Sequence, residues 1–439
     1  MAISRNGWAY RVALPGLALL VFAGFAALWF AGCDSIYFGL LRAFGVHPYS
    51  FPFVDAHAIL SAAECRRYGV DVYAANPCDA LGRPHVYSPL WLSIVPSWLG
   101  TADLNAVGLV LDLAFIAVLG IVFRPCSARE AALCGFAVFS PVVVFALERA
   151  NNDLLVCLAA IAIAALWGRA PRARLAAYAL CVAAALLKYY PIVLLAAAAR
   201  ERLRRAALVA ASAAAVLLLF GWHYRAEIGL ALANIPKWSP FDDGFSALNL
   251  PYGTSALVEG GAGWHRNPLA MTLMAGLITA CLLLVRPTIA GLAELPIAWA
   301  AWEMRCLAVA AIVLPACFFA GQNIAYRGVY LLLLVPGLRQ LRAAAPTAAA
   351  RRSLGLMLGA VYFALWQACL LNLVDMVLAP VNEPAAIAVW VALWLVRELV
   401  WWGLIAGLIA LAVLCLRGLP LFADLAALLP PRLRPTAAR

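Results

Sequence analysis

The chain has 439 residues, of which 66% are hydrophobic and 12% are charged, and its mean hydropathy is +0.93. A soluble globular domain is about half apolar and roughly a quarter charged, so this composition excludes a soluble protein and predicts an all-α, polytopic integral membrane protein. The net charge of +11 does not indicate nucleic-acid binding, because the basic residues cluster in short loops between apolar segments, as in the cytoplasmic loops of membrane proteins.

The first apolar segment covers residues 12–32 and predicts a retained membrane-spanning helix. It is long enough to cross a bilayer and lacks the A-x-A site at which a signal peptide is cleaved. The polar stretch that follows, 33–101, is expected to be an exported loop with helices lying in the membrane interface. In an oxidising compartment, Cys65 and Cys78 of this loop could form a disulfide.

Asp55 in this loop has two interpretations. The pattern predicts a short helix over 56–68 with Gly69 just past its end, and an Asp at the start of a helix is a good N-cap. In that case Asp55 would only satisfy a backbone N–H group. The alternative is a catalytic base at the membrane surface, and the loop by itself is consistent with both.

The middle of the chain contains a broken apolar region. Three spans precede it, at 104–123, 131–147 and 154–167. Two short apolar segments then follow, 175–187 and 192–199, joined by Lys188-Tyr189-Tyr190-Pro191. Each is too short to cross a ~30 Å hydrocarbon core, and basic loops flank the pair. We therefore expect two short helices hinged at Pro191, a break that is tolerated at membrane depth only where protein or a wet cavity covers it.

The second half of the chain begins with a span at 206–222 and a second long exported loop, 223–268. Amphipathic stretches at 288–303 and 380–395 are expected at the membrane interfaces. Further spans are predicted at 269–285, 306–320, 329–338, 354–374 and 399–416. The total is about 12 crossings, including short broken ones, in a single transmembrane domain over 1–439 with both termini in the cytoplasm.

The chemistry of the chain has to come from scattered polar residues. Gly-rich nucleotide loops and the GxSxG, HExxH, Walker and DxD patterns are absent, so we expect no cofactor and no metal ion, and Asp242-Asp243 predicts a turn. What remains is a set of charged residues near the expected outer ends of spans: Asp34, Asp55, Asp71, Glu148, Arg149, Asp153, Lys188 and Arg327. A carboxylate base with cations beside it suits the displacement of a phosphate leaving group.

Three stretches in the N-terminal half add a resemblance. They are Asp55 with Gly69-Val70-Asp71-Val72-Tyr73 and Tyr87-Ser88-Pro89, then Glu148-Arg149-Ala150-Asn151-Asn152-Asp153-Leu154-Leu155, and Leu187-Lys188-Tyr189-Tyr190-Pro191. In this order and spacing they resemble glycosyltransferase family 87, polytopic GT-C enzymes that use a polyprenyl-phosphate-linked sugar. The C-terminal half resembles the family only in architecture, with Asn323-Ile324-Ala325-Tyr326-Arg327 in a comparable place.

The resemblance implies a GT-C fold and an inverting hexosyltransferase, with mannose as one candidate sugar. Asp55 would be the general base, and Lys188 and Arg327 would bind the donor phosphate. The cavity would be lined by Asp71, Tyr73, Tyr87, Asn152, Asp153, Tyr189 and Tyr326. The implied partners are a polyprenyl-phosphate sugar, a lipid or glycan acceptor and membrane lipids. The implied location is the bacterial inner (plasma) membrane of the cell envelope, with the site on the periplasmic face.

Each assignment has an alternative. Lys188 could instead pair with Glu148 or Asp153, or reach toward the interface, and Arg327 could be an interfacial anchor. Residues at span ends such as Arg149 could cap helices or pair with one another, and Tyr73 and Tyr87 fit an aromatic belt. A secondary transporter or lipid-linked-sugar flippase would also use hinged short helices. The long loops and the lack of inverted repeats favour an enzyme. A glycan ligase or polymerase would place its key residues in 223–268.

Overall fold

The computed structural model describes residues 5–242, 244–259 and 267–428, so Asp243 and the basic tail lie outside the described residues. Within these ranges the protein is all-α apart from two short strands. The helices are α1 Arg5–Phe30, α2 Asp34–Ala43, α3 Val54–Arg67, α4 Pro89–Ile94, α5 Leu104–Val122, α6 Ala128–Val138, α7 Pro141–Glu148, α8 Asn152–Trp167, α9 Pro171–Lys188, α10 Leu203–His223, α11 Arg225–Asn234, α12 Asn249–Glu259, α13 Pro268–Gly291, α14 Trp302–Ala320, α15 Leu331–Ala344, α16 Ala348–Val377, α17 Glu383–Arg417 and α18 Pro420–Leu428.

The remaining regular structure consists of short connecting elements. The 3₁₀ helices are Thr101–Asp103, Tyr190–Arg200 and Ala325–Tyr330, and the strands are β1 Gly244–Phe245 and β2 Asn323–Ile324. The two strands pair antiparallel, with Gly244 opposite Ile324. This pairing joins the second long loop to the turn that carries Arg327.

The described helices make this a multi-pass membrane protein. Seven of them are long and apolar enough to span a bilayer, and the bent pair α6–α7 raises that number to eight. The seven are α1, α5 with the short 3₁₀ helix before it, α10, α13, α14, α16 and α17. Two shorter apolar helices, α8 and Tyr190–Arg200, add to the bundle. The total of about 12 crossings and the GT-C type stay predictions.

Several predicted boundaries in the second half are wrong. The helix α17 runs without interruption for 35 residues, where the sequence predicted an interfacial stretch and a separate span. The sequence pattern breaks at Arg397 and Glu398, but these two side chains pair with each other at 2.8 Å inside the bundle, so the helix continues through them. The spans predicted at 269–285 and 306–320 also extend into the stretch 288–303, because α13 ends at Gly291 and α14 begins at Trp302.

The break between the two short apolar helices is present, but it falls at Tyr189. Helix α9 ends at Lys188, Tyr189 has a φ of 60°, and the chain continues as a 3₁₀ helix from Tyr190. A left-handed φ at a non-glycine residue costs free energy and is found most often at functional sites. The break also leaves the last carbonyl groups of α9 without helical partners.

The first long loop supplies those partners. Ser88 Oγ donates to the Leu186 carbonyl at 2.6 Å, and Trp91 Nε1 donates to the Leu187 carbonyl at 3.2 Å. The same loop contains helices α2, α3 and α4, and a disulfide joins Cys65 to Cys78 with the Cα atoms 5.8 Å apart. The loop is therefore a folded cover that lies over the broken helix.

Candidate functional site

Asp55 is held at the junction of two chain segments. The Phe53 N–H donates to the Glu148 carbonyl at 2.6 Å, and the Asp55 N–H donates to the Arg149 carbonyl at 3.2 Å. The interpretation of Asp55 as an N-cap is wrong: the capping position is Phe53, which has a φ of 62°, and the Asp55 side chain points elsewhere. The side chain is 10% exposed, and its carboxylate accepts a hydrogen bond from Asn151 Nδ2 at 2.6 Å.

Asn151 connects Asp55 to the second carboxylate of the site. Its side-chain amide donates to Asp55, while its Oδ1 accepts the Asp153 N–H at 2.7 Å and caps helix α8. Both polar atoms of a fully buried side chain are therefore used. The sequence motif contains Asn151, but its role was missed because the residue it contacts is 96 positions away.

Asp153, which is buried, is the centre of a cluster of charged and polar side chains. Its Oδ2 lies 2.9 Å from Lys188 Nζ and 3.0 Å from Arg327 Nε, and its Oδ1 accepts from the Tyr190 hydroxyl at 2.6 Å. The Tyr190 hydroxyl also lies 2.6 Å from that of Tyr330. The structure thus brings the predicted residues Lys188, Arg327 and Asp153 together. The ion pair between Lys188 and Asp153 is one of the alternatives expected for Lys188. Two cations against one carboxylate leave the cluster with a net positive charge.

Two tyrosines lie near both carboxylates. Tyr87 and Tyr326 are both within electrostatic range of Asp55 and of Asp153. Lys188 Nζ lies 5.4 Å from the centre of the Tyr87 ring, close enough for a cation–π contact. The base candidate and the cationic cluster therefore share two aromatic neighbours, Tyr87 and Tyr326.

The loop beside Asp55 contains an arginine that the sequence analysis missed. Arg83 makes a two-point ion pair with Asp79, with distances of 2.9 and 3.2 Å to Oδ2, and donates to the Val54 carbonyl at 2.9 Å. It also lies 4.0 Å from Asp55. Burial acts to raise the pKa of Asp79, but the contacts with His57 and Arg83 outweigh it, and the pKa lies well below its usual range. The spacing of four between Asp79 and Arg83 was the available signal.

The other predicted cavity residues lie around this centre or outside it. Asp71 is exposed and accepts the Tyr73 N–H at 3.1 Å. The Tyr73 ring is buried against His85 at 5.3 Å, and burial lowers the pKa of His85 to about 4. Asn152 is buried, and no hydrogen bond to its side chain is present in the described part of the chain.

Glu148 and Arg149 pair with each other at 3.0 Å, which is the structural role predicted as an alternative for these residues. The Arg149 guanidinium also lies 4.2 Å from the Tyr49 ring and 4.8 Å from the Phe145 ring. Phe145 in turn meets Tyr326 edge to face, with ring centres 5.5 Å apart. These contacts fix the connection between α7 and α8 around the site.

Over the described ranges, no group of three or more His, Cys, Asp or Glu side chains is arranged to hold a metal ion. Comparison of the chain with family models, curated proteins and solved structures finds no match. The resemblance to glycosyltransferase family 87 therefore depends on the motifs alone. The geometry of the site gives an independent basis for a functional proposal.

Proposed function

We propose that the protein is a membrane glycosyltransferase that moves a hexose from a polyprenyl-phosphate sugar to an acceptor hydroxyl. The observation that carries the proposal is the arrangement around Asn151. A buried carboxylate, Asp55, is fixed on one side of it, and the net-positive cluster of Lys188, Arg327 and Asp153 is fixed on the other. A base and an anion-binding group in one place are the two parts that this reaction needs.

In the proposed reaction, Asp55 takes the proton of the acceptor hydroxyl as the hydroxyl oxygen forms a bond to the anomeric carbon. The bond from that carbon to the phosphate oxygen breaks, and its electron pair leaves with the lipid phosphate. Attack opposite the leaving group inverts the anomeric configuration. Lys188 and the planar guanidinium of Arg327 stabilise the negative charge on the departing phosphate.

Asp153 has a positioning role in this scheme. Its two oxygens already contact Lys188, Arg327 and Tyr190, so it holds the cations in place and is not available as the base. Asp55 accepts one strong hydrogen bond, from Asn151, and lies 4.0 Å from Arg83. A carboxylate has about four acceptor positions, which leaves Asp55 with capacity for a substrate hydroxyl.

The proposal is tested by transfer from radiolabelled polyprenyl-phosphate sugars in membranes that contain the protein. Asp55→Asn is expected to lower the transfer rate by a factor of about 10²–10⁴, since the amide cannot take the proton. Asp375→Asn is the matched control, because Asp375 is exposed near the end of α16, and it is expected to retain the wild-type rate.

Two results would contradict the proposal. Full transfer by Asp55→Asn would show that Asp55 is not the general base. If Asp34→Asn lost transfer instead, the general base would be Asp34, at the start of α2. Sugar uptake into vesicles without any transfer product would favour the transporter hypothesis.

A further inference from the structure

An apolar groove lies between α1, α2 and the helices α5 to α7. Its empty volume is about 790 Å³, including the part that opens to the outside of the bundle. Large apolar side chains line it, among them Phe22, Phe25, Trp29, Phe115, Leu119 and Phe139. Glu148 is its one charged lining residue. A groove of this composition fits a hydrocarbon chain and offers too few polar partners for a sugar.

The length of the groove also fits a chain. Its lining residues on α1 extend from Ala18 to Phe30, which corresponds to about 18 Å of helix at ~1.5 Å per residue. That is more than half of a ~30 Å hydrocarbon core. Val21 and Phe30 are exposed, so the groove is open on the face where α1 would meet the bilayer. A lipid could therefore enter it from the side.

One end of the groove reaches the candidate base. Pro52 and Phe53 line that end, and Phe53 is hydrogen-bonded to the Glu148 backbone two residues before Asp55. Gly108 of α5 makes room for the Phe53 ring, because a Cβ atom at that position would collide with it. A chain in the groove would therefore place its head group next to Asp55.

The charges at this end favour an uncharged hydroxyl over a phosphate. Glu148 lines the groove, and Asp112 of α5 is fully buried and within electrostatic range of Glu148. The nearby cations already have partners, since Arg149 pairs with Glu148 and Arg83 pairs with Asp79. The cations Lys188 and Arg327 pair with Asp153, which Asn151 links to Asp55. A phosphate group therefore fits the cluster better than the end of the groove.

We propose that the groove holds the hydrocarbon chain of the acceptor, so that the acceptor is a membrane lipid with a hydroxylated head group. This inference depends on the proposed transferase function and deepens it. The acceptor hydroxyl lies at Asp55, and the donor phosphate lies at Lys188 and Arg327. A water-soluble glycan would leave the groove unused.

The experiment introduces a large side chain on α1 that fills part of the groove. Ala26 lines the groove, whereas the neighbouring Ala27 is exposed on the other side of the helix, so Ala26→Phe and Ala27→Phe form a matched pair. Methyl, octyl and hexadecyl mannosides serve as acceptor probes in phosphatidylcholine vesicles. For wild type, KM is expected to fall as the chain lengthens. Ala26→Phe should raise KM for hexadecyl mannoside by about 10-fold or more, the effect of losing burial of roughly two methylene groups.

The same variants separate the possible outcomes. KM for methyl mannoside and for the donor should stay unchanged in Ala26→Phe, and Ala27→Phe should match wild type throughout. Equal kinetics for the two variants with every acceptor would overturn the inference while leaving the transferase function standing. An increase in the donor KM alone would assign the groove to the donor chain and would also overturn it.

A binding measurement makes the test independent of turnover. Hexadecyl mannoside with a diazirine near the middle of its chain should label α1 and α5 in wild type and in Ala27→Phe, and should label Ala26→Phe less. If phosphatidylcholine itself competes with the probe and abolishes the labelling, the groove binds bulk lipid only, and the proposal is contradicted. Absence of transfer to every probe with labelling intact would count against the proposed function alone.

Discussion

Asp153 is the residue on which the cationic cluster depends. It contacts both Lys188 and Arg327, and it is almost completely buried. Removing one member of a buried ion group leaves the others without compensation, and the cost depends on which member is removed. Replacing Asp153 and replacing Lys188 should therefore have different effects on stability.

Asp153→Asn is expected to lower the free energy of unfolding by about 3–5 kcal/mol, since the buried Lys188 and the partly buried Arg327 then face each other without a carboxylate. Lys188→Met is expected to cost less, about 1.5–3 kcal/mol, because Asp153 keeps its contact with Arg327. The measurement is unfolding of the purified protein in mixed micelles. The exposed Asp375→Asn serves as control and should change stability by about 0.5 kcal/mol or less. A larger cost for Lys188→Met than for Asp153→Asn would contradict the cluster as described.

The sequence allowed important charged residues to be predicted, but it allowed few of their contacts to be predicted. Asp55, Lys188 and Arg327 stand out because charge is costly in an apolar chain. Asn151 and Arg83 do not stand out, because a neutral amide and a loop arginine are ordinary residues at those positions. Their importance comes from partners that folding brings close, such as Asp55, which is 96 positions before Asn151. Asp71, whose motif position predicted a cavity residue, is exposed, and its assignment stays a prediction.

At the scale of elements, the break at Tyr189 depends on the loop that covers it. The carbonyl groups of Leu186 and Leu187 lose their helical partners and accept from Ser88 and Trp91 instead. A carbonyl group left unpaired in the bundle costs about 1–3 kcal/mol. The cover and the broken helix should therefore be stable only together.

Ser88→Ala and Trp91→Phe are each expected to destabilise the protein by about 1–3 kcal/mol, as measured by thermal unfolding in detergent. The controls are Ser93→Ala, whose hydroxyl faces its own helix, and Trp98→Phe, whose ring is exposed. Both controls are expected to stay within about 0.5 kcal/mol of wild type. Equal effects in the controls and in the two test variants would show that the loop does not support the break.

The sequence predicted where the main elements lie but placed several of their ends incorrectly. Long apolar runs such as that of α1 are clear because a span needs about 20 apolar residues. The end of α9 was less clear, because Pro191 is the obvious breaker and the left-handed residue is Tyr189. The continuity of α17 was hidden by Arg397 and Glu398, whose mutual pairing no one-dimensional hydropathy pattern reports.

At the scale of the whole molecule, the expected orientation can be measured with the native cysteines. Cys126 is free and exposed between α5 and α6, in a connection expected to be cytoplasmic. A membrane-impermeant maleimide should leave Cys126 unlabelled in intact cells and label it after permeabilisation. Cys126→Ser provides the background signal. Labelling of Cys126 from outside intact cells would reverse the topology and place the Asp55 loop on the cytoplasmic side.

Three hydrogen bonds of the first loop join residues that are 96 to 98 positions apart: Ser88 with Leu186, Trp91 with Leu187, and Asp55 with Asn151. A ribosome adds about 5–20 residues per second, so the early partner of each pair is made roughly 5–20 s before the late one. During synthesis the loop therefore emerges without the groups that will hold it. It reaches its final conformation only after α9 has been inserted, which makes the order of insertion part of how this site is assembled.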